Sequence, residues 1–463
     1  AEPDPEPTET SGGDMIRELA ADTETVRQGS AVSVHVELDP DVVSEEPHDV
    51  RLRSAEEVLQ EVRLSTASPS TRATSFIVQC DRAGTRTFAV GDEQTSVTVE
   101  SWPDSFVSVD GTQFALDGEP FSVVGANNAY LHHKTHKTVD EIFDDAAAMG
   151  LNVIRLLVNG GGTDVGYCRE FACGQTQFGL QPGPREYDEA SFRKLDYVIA
   201  SAKRHGIRLI PSLITPGPGG IEAYVEWVDS ADTSDDFYTN KECKAIYRSY
   251  LEHLLTRENV YTGQLYRDDP TIMLWELVNE PELTEGSVYG PPLQSWLKEM
   301  AEYAKSIDRN HLVSAGLIGW NDPTTEDDFL ACFAPDAIDA ASTHMYYDAD
   351  GIDDWVERHA SGVHAQLEKP VYIGEFGWDA TRTEEDYAKQ LENRNEGFER
   401  WYAQFDRHNV AGSLVWFLIG HLDDGSRYPD HDGFGLYYPE DTSTVEIIQS
   451  AAASADTDTG SDR

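Results

Sequence analysis

The chain has 463 residues, of which 84 are Asp or Glu and 35 are Lys or Arg, so its formal net charge is −49. That excess excludes a nucleic-acid or anionic-membrane partner held by charge, because phosphate binding needs clustered Lys and Arg. With 39 % hydrophobic and 10 % aromatic residues the chain can bury a large core, which excludes general disorder, and no run approaches the roughly eighteen apolar residues of a membrane span.

The acidity is spread along the chain: residues 1–102 alone carry 21 acids against 8 bases. Lys is scarce, 10 against 25 Arg, and none precedes Lys134. A surface of this kind implies adaptation to high salt, where screening removes most self-repulsion. Residues 1–22 read as a flexible acidic linker. A start at Ala1 without an apolar leader is the pattern of a trimmed chain, and a secreted protein is the expectation. The five Cys form no Cys-x-x-Cys pair, so no zinc pattern and no cofactor are expected. Cys168 and Cys173 share a Gly-rich loop and could bridge in an oxidising compartment.

Over residues 23–102 short alternating strands follow one another: AVSVHVEL (31–38), SFIVQC (75–80), RTFAVGD (86–92) and TSVTVES (95–101). Their spacing predicts a small Ig-like β-sandwich; only residues 55–62 suggest a helix. Residues 107–121 carry two Asp-Gly turns and read as a hairpin.

From there strand and helix alternate eight times within residues 103–452, leaving 453–463 as a disordered tail. The strands are FSVVGAN (121–127), NVIRLLV (152–158), IRLIPSLI (207–214), TIMLWELVNE (271–280), HLVSAGLIG (311–319), DAASTHMYY (339–347), PVYIGEFG (370–377) and AGSLVWFLIG (411–420). Near-continuous apolar strands joined by amphipathic helices predict an α/β fold with a parallel sheet, and eight units fit a closed (β/α)8 TIM barrel. An open doubly wound sheet competes with it. That fold carries a glycine-rich phosphate loop after its first strand, where this chain has GANNAYLHH.

Catalytic residues of such barrels sit at the C-terminal strand ends. The polar residues there are Arg155 (second strand), Asn279 and Glu280 (fourth), His344 and Tyr346 (sixth), Glu375 (seventh) and Trp416 (eighth). Two carboxylates across a barrel mouth are what glycoside hydrolysis needs: one protonated to expel the leaving oxygen, the other ionised to attack the anomeric carbon or activate water. Each residue has a plainer reading. Arg155 is also what a buried structural ion pair looks like, and Trp416 what core packing looks like. Glu276, deeper on the fourth strand, reads as an interior carboxylate satisfied by hydrogen bonds. Their joint placement at five strand ends favours catalysis.

The Asn-Glu-Pro ending the fourth strand, the Ile-Gly-Glu-Phe-Gly of the seventh, the His-x-Tyr of the sixth and the Trp of the eighth resemble clan A glycoside hydrolases of family 5. The stretch 223–283, with GANNAYL (125–131) and MGLNVIRLLV (149–158), resembles the plant- and fungal-type endo-β-1,4-mannanases of that family. This resemblance implies retaining hydrolysis of mannan, glucomannan or galactomannan by a monomer without metal. Glu280 would be the acid/base and Glu375 the nucleophile. Asn279 would bind the 2-hydroxyl of the sugar in subsite −1, Arg155, His344 and Tyr346 would hold Glu375 ionised, and Trp416 would be the sugar platform. On this reading Arg155 favours a charged Glu375, whereas Glu280 needs a raised pKa.

Related enzymes carry a Trp where this chain has Leu131, and Asn and Trp where it has TPGPGG (215–220). His132, His133 and His136 suggest a polar subsite wall in preference to a metal site. Trp227, Trp320 and Trp378 suit sugar stacking and ordinary packing equally. The rival functions are a β-1,4-glucanase or exo-β-mannosidase of the same fold, and a non-catalytic carbohydrate-binding protein. The first unit, with Trp102 alone at its boundary, reads as a spacer in preference to a carbohydrate-binding module.

Overall fold

The computed structural model describes residues 15–42, 47–55, 57–80, 82–158, 179–217, 219–346, 351–380, 387–430 and 432–458. Cys168 and Cys173 lie outside them. The chain divides into two compact units, residues 1–102 and 103–463.

The first unit contains β1 (Ile16–Ala21), β2 (Thr25–Arg27), β3 (Ser30–Leu38), β4 (His48–Ser54), β5 (Glu57–Leu64), β6 (Ala73–Cys80), β7 (Gly84–Val90) and β8 (Glu93–Glu100). They form a three-stranded sheet, β1-β3-β6, and a five-stranded sheet, β2-β8-β7-β4-β5. Alternate residues such as Val32, Val34, Val36, Leu52, Phe76, Phe88 and Val97 are buried in one cluster, as the period of two requires.

Two expectations fail here. Of the linker expected over 1–22, residues 1–14 lie outside the described residues and Ile16–Ala21 form strand β1, because Ile16, Leu19 and Ala21 gain partly buried places on this core. The helix suggested over 55–62 is strand β5: Leu59 and Val62, at helical spacing in sequence, both reach the core from a hairpin in which Val62 faces Val50.

In the second unit β9 (Val107–Asp110), β10 (Gln113–Leu116) and β11 (Glu119–Pro120) form a small antiparallel sheet. The eight barrel strands follow: β12 (Val123–Asn128), β13 (Val153–Leu157), β14 (Arg208–Ser212), β15 (Leu274–Asn279), β16 (Leu312–Gly316), β17 (Ala341–Met345), β18 (Val371–Phe376) and β19 (Gly412–Val415). Each lies inside a predicted run except β12, which extends one residue past its run, to Asn128. Their parallel order, β16-β15-β14-β13-β12-β19-β18-β17, wraps round to a seam between β16 and β17. Backbone bonds from Asp339 to Val313 (2.8 Å) and from His344 to Ile318 (3.0 Å) cross that seam. The result is a (β/α)8 barrel. Val107 and Phe114 of the hairpin pack with the first residues of the strands, such as Val123, Val153 and Leu274, and plug the N-terminal mouth.

The helices around the sheet are set by local chemistry. Helix Glu189–His205 starts at Asp188, whose carboxylate accepts the Ser191 N–H at 2.7 Å. It ends at Gly206 in the left-handed conformation, φ +69°, with Lys203, Arg204 and His205 in its last turn. The last helix, Thr442–Asp458, runs into the region expected to be disordered from 453, because Val445, Ile448 and Ala452 are buried and Ala455 extends that stripe. Among the described residues no helix is long and apolar enough to cross a membrane.

Candidate active site

The C-terminal mouth is organised by Arg155 of β13, which is fully buried. Its Nη1 donates to Glu375 Oε1 at 2.7 Å and to Asn127 Oδ1 at 2.9 Å. Its Nε lies 3.1 Å from both Glu276 oxygens, and Nη2 donates to Glu276 and, at 2.5 Å, to Asn279 Oδ1. Tyr372 donates to Glu276 Oε2 at 2.8 Å. One guanidinium therefore orients two carboxylates and two amides, as its fork of donors allows. Gly316 is required beside it, since a Cβ there would strike Glu276 Oε1 and come 2.9 Å from Arg155 Nη2.

Glu280 follows the last residue of β15 with φ +44°, a left-handed conformation that costs a non-glycine residue about 1–3 kcal/mol and is found where function demands it. Its N–H donates to Gly316 O at 2.6 Å. The Glu280 side chain is 32 % exposed, that of Glu375 only 5 %. His344 Nδ1 lies 2.7 Å from Glu280 Oε1 and 3.7 Å from Glu375 Oε1. Tyr346 donates its hydroxyl to Glu375 Oε2, and its ring stays partly exposed. One ligand-type atom from each of Glu280, His344 and Glu375 falls within 4.8 Å of the others. Trp416 directly follows β19 and bonds through its indole N–H to Asp432 Oδ2 at 2.9 Å.

Protonation in this cluster follows from burial and proximity. Burial pushes the Glu375 carboxyl up; His344, Arg155 and Tyr346 pull the other way, but the Glu280 charge adds to burial and the result is a raised pKa. Burial acts on Glu280 too, yet the hydrogen bond and charge of His344 outweigh it and hold the carboxyl low. His344 itself is lowered by burial but raised more by Glu375 and Glu280. Glu276 is opposed by burial and held low by Arg155. The direction at Glu280 is opposite to the raised pKa expected for it. The reason is that His344 stands nearer to Glu280.

All seven residues named from the sequence therefore stand around one mouth. Glu276 is the hydrogen-bonded interior carboxylate its depth suggested. His132 and His133 are buried with their rings 3.7 Å apart, and burial holds His132 down to about 3, whereas exposed His136 stacks on Tyr197. They do not form an open wall. Trp320 is buried, and Trp227 and Trp378 pack half-buried on the core.

Two contributors were missed, Asn127 and Asp432. Asn127 is a polar residue near the end of an apolar strand, the signal already used for the others. Nothing in the local pattern marks Asp432. Among the described residues, two groups place three His or carboxylate ligands close enough for a cation. One is the Glu280–His344–Glu375 trio; the other is Glu18, His35 and Glu37 of the first unit. Arg155 already faces the first, and Arg17 and Arg72 the second.

A carboxyl pair this close at a barrel mouth, one member clamped by Arg and Tyr and the other open to solvent, defines a glycoside hydrolase. Residues 104–420 match the sequence pattern of the family described as GH family 5 beta-mannosidase-like. Mannan endo-1,4-beta-mannosidase 3 of Arabidopsis thaliana is 32 % identical over 383 residues, 74 % of this chain and 88 % of that protein. Among solved structures, the endo-beta-1,4-mannanase from Thermotoga petrophila aligns with a TM-score of 0.63 at 29 % identity, covering 74 % of this chain and 78 % of that one. The endo-1,4-beta-mannanase from Rhizomucor miehei gives a TM-score of 0.63 at 28 % identity, covering 76 % and 100 %. The chain belongs to glycoside hydrolase family 5.

Proposed function

We propose that the protein is a retaining endo-β-1,4-mannanase acting on mannan, glucomannan or galactomannan. The observation that carries the reading is the approach of Glu280, His344 and Glu375 to within 4.8 Å. Retaining enzymes hold their carboxyls about 5–5.5 Å apart, whereas inverting ones leave about 6.5–9.5 Å for a water. The names of the relatives supply the substrate class.

Glu375, clamped by Arg155 and Tyr346, is the nucleophile that attacks the anomeric carbon. Glu280 gives its proton to the leaving oxygen and then, as base, activates the water that frees the sugar. Turnover needs the proton on Glu280 while Glu375 is ionised. His344 Nδ1 stands beside both carboxylates, hydrogen-bonded to Glu280 at 2.7 Å and 3.7 Å from Glu375. Arg155 occupies the Asn279 oxygen, leaving the amide NH2 to donate to the sugar 2-hydroxyl, and Trp416 lies under the ring. The first unit is an Ig-like β-sandwich that serves as a spacer, and the chain works as a secreted, halophilic monomer.

The test is NMR of the first product from β-1,4-mannan, with cellulose and short aryl mannosides alongside. A β-configured oligosaccharide from the interior of mannan is expected. An α-configured product, faster cleavage of cellulose, or single mannose units released from chain ends would each overturn part of the reading.

A further inference from the structure

Beyond the eighth strand, residues 430 and 432–435 are tied to one another by two carboxylates. Asp430 Oδ1 accepts the N–H groups of Gly433 and Gly435 at 3.0 and 3.3 Å, and Asp432 Oδ1 accepts that of Phe434 at 3.0 Å. Gly433 takes φ +84°, which the turn requires. From this one turn two side chains reach the reaction centre. Asp432 Oδ2 holds the Trp416 indole N–H at 2.9 Å. The Phe434 ring stands edge-on to Tyr346, centroids 5.2 Å apart at 75°, behind the hydroxyl that serves Glu375.

Satisfying a buried N–H is the plainer explanation, and any neutral acceptor would do that. Here the acceptor is a carboxylate, while Trp296, Trp320 and Trp401 have buried indole nitrogens without a hydrogen-bond partner. Trp275 also meets a carboxylate, Asp308 at 2.8 Å, but that one is shared with His311. A carboxylate at the N–H polarises the indole and deepens the negative potential of its faces, the property that attracts cations to aromatic rings. As the glycosidic bond breaks, positive charge develops on the sugar ring. A ring tuned in this way attracts the transition state more than the neutral substrate, and such differential binding raises kcat while leaving KM nearly unchanged.

We propose that Asp432 is a positioning residue for the hydrolysis itself: it fixes Trp416 and lends its face the negative potential that stabilises the charged transition state. The inference rests on the reading of Trp416 as the sugar platform.

The test is a double-mutant cycle on a soluble mannooligosaccharide. Asp432→Asn keeps the shape and one acceptor but removes the charge; it should lower kcat about 5- to 30-fold with KM little changed. Asp432→Ser, the second charge-removing variant, should lower kcat at least as much, and melts of both confirm folding. In a Trp416→Phe background, with no indole N–H left to polarise, Asp432→Asn should have almost no further effect. Equal losses in both backgrounds, a change confined to KM, or an inert Asp432→Asn would overturn the proposal. Full activity of Trp416→Phe alone would instead overturn the platform reading.

Discussion

His344 Nδ1 lies 2.7 Å from Glu280 Oε1, a full ångström nearer than its 3.7 Å to Glu375 Oε1. That asymmetry keeps Glu280 low while burial keeps Glu375 high. Removing the imidazole takes away the largest pull opposing burial at Glu375, so its carboxyl must rise further. His344→Asn should therefore move the acid limb of kcat/KM to higher pH and cut the rate at neutral pH by about 10²- to 10⁴-fold. The pH–rate profile on a soluble mannooligosaccharide reads both. An acid limb that stays put or moves down would show that His344 does not govern this pair.

Glu276 predicts a shift of opposite sign. It shares Arg155 with Glu375, so three of the guanidinium's six hydrogen bonds serve a carboxylate that does no chemistry. Glu276→Gln keeps the shape and an acceptor but leaves the cation facing Glu375 alone. Its pKa should fall, and the acid limb should move to lower pH. A limb displaced upward in the same profile would show that Glu276 acts through packing instead of charge.

The division of labour between the two carboxylates is testable on an aryl β-mannoside with an activated leaving group. Such a group needs little protonation. Glu280→Ala should still form the glycosyl-enzyme slowly and accumulate it, whereas Glu375→Ala should form none. Mass spectrometry of the quenched protein distinguishes them, and equal, complete loss in both variants would contradict the assignment.

The barrel was legible because all eight strands are buried along their length, which writes a continuous apolar run into the sequence. The polar residues breaking those runs at their ends marked the mouth for the same reason. Strands β1 and β5 were not legible: the acidic stretch that holds β1 reads as a linker, the apolar residues of β5 three apart fit a helix equally well, and pairing with β3 and β4 decided the matter. The direction of the Glu280 shift was not legible because it depends on where His344's ring reaches from β17 to Glu280, and no spacing along the chain encodes that. Asp432 was invisible for a similar reason, lying sixteen residues beyond the indole it holds.

Folding of the barrel makes a separate prediction. Asp196 is fully buried and accepts Arg257 at 2.9 and 2.7 Å and the Tyr266 hydroxyl at 2.6 Å. Asp196→Ala strands a mostly buried guanidinium, a loss of about 3–5 kcal/mol. Arg193→Ala breaks only the exposed pair with Glu189 at 3.2 Å, worth about 0–1 kcal/mol. Urea melts should separate the two clearly. Comparable effects would mean that Arg257 finds adequate partners in Glu189 and water.

Salt dependence tests the origin of the acidic surface. The charge of −49 is carried by both units, and much of it has no paired base. At about 0.01 M salt the Debye length is roughly 30 Å, so carboxylates repel one another across a whole unit; at about 1 M it shrinks to about 3 Å and only immediate neighbours interact. Folding stability should therefore rise with salt into the molar range. Catalysis should follow through the folded fraction alone, because a neutral polysaccharide gains nothing from electrostatic steering. The buried ions of the active site are screened much less, so kcat per folded molecule should change little. The measurement is a series of thermal melts from about 0.05 to about 3 M NaCl with rates on mannan at each point. A Tm that is flat or falls with salt would refute a halophilic origin. A steep change in kcat at constant folded fraction would place the salt effect in the cleft instead of the surface.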